Sequence, residues 1–139
     1  MGMGIKQDYK AAFDLYILAA KQGHAQAQTN IARLYIYGDG VAKDVETGLY
    51  WLKKSAAQDN EQAYLNMNAF YREAGDYKES LKWLNVYEER RDDAEFRVTE
   101  KSIKMTREYL ENELTEEEIA EAAELAKNWE PEDEEIKLN

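Results

Sequence analysis

The chain has no cysteine, one histidine and one proline among its 139 residues. Without cysteine there are no disulfides and no thiolate chemistry, an absence that does not separate cytoplasm from periplasm. Pro131 stands near the end, so little room exists for a proline-rich linker, and the length and 44% hydrophobic content fit one small domain. No apolar run approaches the roughly 20 residues of a membrane span, and no leader-like segment is visible. Strand signals are scarce as well.

A single histidine narrows the catalytic options. His24 stands at a helix-starting position, which fits a capping or surface role better than that of a general base, and no nucleophile has a base beside it. Metal ligation would fall to carboxylates alone, yet Asp92-Asp93 and Glu116-Glu117-Glu118 lack the loop spacing of a calcium site. Gly38-Asp39-Gly40 is not followed by a phosphate-binding pattern. No catalytic residue, cofactor or metal is expected.

What the chain does contain is repetition. At an offset of 36 residues Gly4 to Asp8 falls on Gly40 to Asp44, and Ala20, Gln22, Gln26, Ala27, Asn30 and Tyr35 fall on Ala56, Gln58, Gln62, Ala63, Asn66 and Tyr71. From Asp44 the offset becomes 32, placing Asp44 on Asp76, Leu49 on Leu81 and Trp51 on Trp83. The difference is one of loops, a long one over Tyr37 to Lys43 and a short one at Ala74-Gly75. Apolar residues recur at spacings of three and four, as in Tyr9, Ala12, Phe13, Tyr16, Ala19, Ala20 and again in Ala63, Tyr64, Met67, Phe70, Tyr71, Ala74. Helices are predicted over about 8–22, 24–37, 44–58, 60–74, 76–90 and 93–112. Asp76 with Glu79 reads as a helix start in which the glutamate reaches back, and Thr115 with Glu118 as a capping box. A last helix over 114–129 carries an apolar stripe of Ile119, Ala122, Ala123, Ala126 and Trp129, which fits it to cover the final repeat. Gly4 to Asp8 reads as the second half of an inter-helix loop. A chain opening in mid-repeat, with Met1-Gly2-Met3 as an appended start, is expected to be a fragment of something longer or a mature domain freed of a targeting segment; the alternative is a natural start with an incomplete capping repeat.

These residues resemble the Sel-one-like repeat, a relative of the tetratricopeptide repeat. Its marks appear as Ala25-Gln26-Ala27-Gln28, Ile31-Ala32-Arg33-Leu34-Tyr35, Gly38-Asp39-Gly40-Val41-Ala42-Lys43-Asp44, Trp51 and Ser55-Ala56-Ala57-Gln58-Asp59. The resemblance covers about residues 4–110. The second copy departs from it at Asn68, where a small residue is expected, and lacks the Gly-Val loop. It implies an all-α fold, a right-handed α-α superhelix of about two and a half hairpins over 1–113, closed by the capping helix 114–129 and followed by an acidic tail, 130–139.

By analogy with tetratricopeptide arrays, the helix preceding each loop lines a concave groove. That places Gln26, Thr29, Asn30, Arg33 and Tyr37, then Gln62, Leu65, Asn66, Ala69 and Arg72, against a peptide. Asn30 and Asn66 suit backbone amides, and Arg33 and Arg72 suit a carboxylate. Residues 1–91 are charge-balanced, so the net charge of −11 resides in the remainder, and nucleic acid is an unfavourable partner. The expected function is a non-enzymatic adaptor or scaffold for a protein or peptide, in a bacterial setting. The alternative is a structural or homo-oligomerising spacer whose groove is closed by its own C-terminal segment.

Overall fold

The computed structural model describes residues 2–91 and 100–131, with side chains from Asp8 onward. Among the described residues there are seven helices and no strand, so the fold is all-α. They are α1 (Gly2–Lys21), α2 (Ala25–Tyr37), α3 (Val45–Ala56), α4 (Glu61–Glu73), α5 (Tyr77–Arg90), α6 (Glu100–Glu113) and α7 (Glu116–Lys127). Two compact units divide the described residues, 2–63 with Pro131 and 64–91 with 100–130. Asp92-Asp93, the start expected for the sixth helix and the tail beyond Pro131 lie outside the described residues.

In the first unit α1 packs on α2 and α2 on α3. The core is Ala20, Ile31, Ala32, Leu34, Ile36, Trp51, Leu52 and Ala56, which is the three-and-four stripe of each helix turned inward. Contrary to expectation, Gly4 to Asp8 are helical and belong to α1. Glycine weakens a helix by about 1 kcal/mol without forbidding it, and no proline stands there to stop the first turn. α2 ends at Gly38, whose φ of 72° is left-handed, and the amide of Gly38 donates to the Leu34 carbonyl. The chain then returns so that the Asp44 amide donates to the Tyr35 carbonyl at 2.8 Å. Asp44 caps α3, accepting from the Thr47 amide at 3.1 Å and the Thr47 hydroxyl at 2.7 Å. Those bonds to the charged form hold its carboxyl below the usual carboxylate range.

Gly40 explains the Gly-x-Gly pattern. A Cβ there would lie 2.5 Å from the carbonyl carbon of Tyr9, so the loop rests directly on the α1 backbone. Asp59 has φ 58°, at the repeat position where Gly23 has φ 92°. Aspartate tolerates that region better than most residues, which lets the helix end turn without glycine.

In the second unit α5 is central, with α6 and α7 both packed on it. Leu81, Trp83, Leu84, Val86 and Tyr87 are buried from α5, Ile103 and Leu110 from α6, and Ala122 and Ala126 from α7. The turn before α5 repeats the earlier return bond, with the Asp76 amide donating to the Tyr71 carbonyl at 2.9 Å. Asp76 accepts from the Glu79 amide at 3.2 Å, but Glu79 does not reach back; its carboxylate pairs with Lys82 at 2.9 Å, one helical turn on. At α7 the capping box is complete, with Thr115 Oγ1 accepting from the Glu118 amide and Glu118 accepting from the Thr115 amide, each at 3.1 Å. Of the expected α7 stripe, Ala122 and Ala126 are buried and Ile119 and Trp129 half-buried, whereas Ala123 is exposed. Trp129 lies edge-on to Trp83, 5.3 Å between centroids, and to Tyr64 at 6.3 Å, with the Arg90 guanidinium 4.8 Å over its ring.

Candidate binding faces

The α2 face in the first unit is built on a layer of buried hydrogen bonds. Thr29, 1% exposed, does not face a ligand: its hydroxyl lies 2.7 Å from that of Ser55 and 3.0 Å from Asn60 Oδ1. Ser55 in turn donates to the Ala25 carbonyl at 2.8 Å. Two hydroxyl protons serve three contacts here. Either Thr29 donates to Ser55 and Ser55 to Ala25, or Ser55 donates to Thr29 and Thr29 to Asn60. Gln28 is buried too, donating to the Ala20 carbonyl at 3.1 Å and accepting from Gln58 at 2.9 Å. These bonds join α2 to α1 on one side and to α3 on the other, and so fix which residues of α2 face water.

Outward from that layer stand the remaining α2 residues expected at a groove. Gln26, Arg33 and Tyr37 are exposed and Asn30 is half-buried, and the spacing of four, three and four puts them on one stripe. Tyr37 keeps 59% of its surface open, more than a packing role needs. Gln26 donates to Asn30 Oδ1 at 3.2 Å and accepts from Asn60 at 3.4 Å, so the three side-chain amides are held in a chain. Asn60 stands outside the expected groove residues. Its position just ahead of α4, where it accepts from the Ala63 amide at 3.1 Å, is a recognisable capping signal, but its second role toward Gln26 and Thr29 is purely spatial.

On α4, Gln62 is exposed, while Leu65, Asn66, Ala69 and Arg72 are half-buried. This face shares the four-residue stepping of the first, with Asn66 and Arg72 as its polar members. Gln62 belongs to the first unit and Leu65, Asn66, Ala69 and Arg72 to the second. His24 is the N-cap residue of α2, yet its side chain makes no capping bond and is exposed. Among the described residues no group of three histidines or carboxylates gathers as a metal site, and no helix is long and apolar enough to cross a membrane.

Paired helices with a left-handed glycine after the first, an aspartate cap on the second and a tryptophan two turns inside it define a helical-hairpin repeat. Residues 1–24 and 25–60 match the Sel1 repeat. Over 65 residues the chain is 40% identical to protein sel-1 homolog 2 of Mus musculus, a match that covers 46% of this chain and 9% of that protein. The matched residues, 1–60, are thus Sel1-like repeats. As a family, Sel1 repeats are scaffolds for protein–protein interaction and are generally not enzymes.

Proposed function

We propose that this chain is a non-enzymatic adaptor that holds an extended peptide or protein segment on the outward faces of its loop-preceding helices. The observation that supports this most is the α2 stripe of Gln26, Asn30, Arg33 and Tyr37, which is open to water although the opposite side of the same helix is among the most buried parts of the chain. Each group has a use: the linked amides of Gln26 and Asn30 suit peptide N–H and C=O groups, Arg33 a carboxylate, and Tyr37 an apolar side chain. On α4, Gln62, Leu65, Asn66, Ala69 and Arg72 offer a second such face. An acidic chain of net charge −11 does not suit a phosphate backbone, so the partner is protein rather than nucleic acid.

Selection from a displayed random-peptide library tests this reading. The chain should enrich a defined motif, and Arg33→Ala or Tyr37→Ala should cut recovery about tenfold while helical circular dichroism stays unchanged, the loss expected for an interface anchor. Failure to enrich any motif, or recovery indifferent to both substitutions, would refute it. A spacer closed by its own C-terminal segment is the second reading, favoured by Trp129 lying on Tyr64 of α4. The same selection on a chain ending at residue 113 separates the two, because only a self-closed spacer gains peptide recovery when that segment is removed.

A further inference from the structure

Helices α1, α3 and α5 occupy one place in successive copies of the repeat. Gly48, Trp51, Leu52 and Ser55 are buried on α3, and so are their counterparts Ser80, Trp83, Leu84 and Tyr87 on α5. On α1 the same four positions are Ala12, Leu15, Tyr16 and Ala19. There Leu15 is 72% exposed and the other three are only half-buried, with Leu18 beside them 64% exposed. In α3 this is the face that α2 covers, with Gly48 against Ala32 and Ile36 and Ser55 against Thr29. α1 thus carries a helix-packing face with no helix on it among the described residues.

We propose that this face seats the α1 helix of a second copy of the chain, antiparallel, about a two-fold axis at Leu15. The pattern is self-complementary in that register. When Leu15 meets its own counterpart, Ala12 lies opposite Leu18 of the other copy, Ala11 opposite Ala19, and Asp8 opposite Gln22, so an apolar centre is flanked by a large side chain on a small one, and a carboxylate meets an amide at each rim. Lys10 and Lys21 point to the far side of α1, which keeps like charges out of the contact. This reading is independent of peptide binding on α2. A helix of 20 residues is about 30 Å long, and a single helix pair buries less than the roughly 1,200 Å² of stable interfaces. The dimer therefore belongs to the weak class, with Kd on the order of 10–100 µM.

Sedimentation equilibrium over roughly 5 to 500 µM, bracketing that affinity, should show a monomer converting to dimer. Leu15→Glu with Leu18→Glu should raise the midpoint more than tenfold without loss of helicity, since both side chains face water. Because the chain has no cysteine, Leu15→Cys introduces a single thiol at the axis. Oxidation should then yield a covalent dimer, whereas Lys10→Cys on the far side should not. A chain that stays monomeric over the range with no crosslink at position 15, or a dimer indifferent to the paired glutamates, overturns the proposal.

Discussion

In the hairpin of α2 and α3 the helices cross over Ala32 and Gly48, where an added Cβ on the glycine would lie 2.5 Å from Ile36 Cγ1 and 2.9 Å from the Ala32 carbonyl. In the hairpin of α4 and α5 the same two repeat positions hold Asn68 and Ser80, and polar contact replaces close approach. The Asn68 amide donates to the Ser80 carbonyl at 2.9 Å and the Ser80 hydroxyl at 3.0 Å, and that hydroxyl donates to the Asn68 carbonyl at 2.7 Å. Both side chains are buried and every proton of the set finds an acceptor. The lesson is that a repeat position is constrained jointly with its facing position. An asparagine alone at this crossing would be a defect; with its serine it is an alternative means of closing the pair.

The turns extend the contrast and supply the largest expected effect. Gly40 and Gly75 both have left-handed φ, 76° and 82°, but a Cβ at Gly40 would strike the Tyr9 backbone, whereas nothing lies within 4 Å of one at Gly75. Gly40→Ala should therefore cost about 3 kcal/mol or more, combining backbone strain with overpacking, and Gly75→Ala only about 1 kcal/mol. Urea denaturation followed by circular dichroism measures both. Equal losses would mean that the loop does not rest on α1 and that the two turns do the same work.

The crossing itself comes next in size. Asn68→Ala leaves the buried Ser80 hydroxyl oxygen and carbonyl without the Nδ2 donor and should cost about 2 kcal/mol, as should Ser80→Ala. Combining Asn68→Ala with Ser80→Ala should cost less than the two single losses together, with a coupling on the order of 1 kcal/mol. In the first hairpin, Gly48→Ser should be destabilising by itself and partly rescued by Ala32→Asn. Strict additivity in either hairpin would break the equivalence between them.

Sequence reading and structure part company at these same residues. The helix order, the Asp76 cap, the capping box at Thr115 and the repetition of Trp51 as Trp83 are legible, because each depends on neighbours within a turn or on a periodicity. Asn68 was visible as a departure, but Ser80 was not, since a serine on a helix reads as a solvent-facing residue until its partner twelve positions away is known. Thr29 was misplaced for a related reason. Its four-residue step to Arg33 suits an open stripe, yet Ser55 and Asn60, from the next helix and the next cap, turn that edge of α2 inward. On α1 the reverse holds: Leu15 has the pattern of a core residue and the exposure of a surface one.

Tyr35 and Tyr71 give the smallest and most selective comparison, since they share one repeat position. Burial, first of all, pushes both phenols above their usual value of 10.0; the Asp44 carboxylate adds to this at Tyr35, and Glu79 and then Asp76 at Tyr71, which is pushed up to about 12. Below pH 10 the phenol is neutral in the folded and unfolded chain alike and the full stability is present. Between 10.0 and about 12 the unfolded chain ionises Tyr71 while the folded chain cannot, so stability is lost as pH rises through the folded value. Tyr71→Phe should remove that part of the alkaline loss, and Tyr35→Phe a smaller part. Thermal melts at about pH 9 and pH 11, on either side of the free-phenol value, measure it. If Tyr71→Phe declined in parallel with the parent chain over that interval, burial in the second hairpin would not be what separates the two tyrosines.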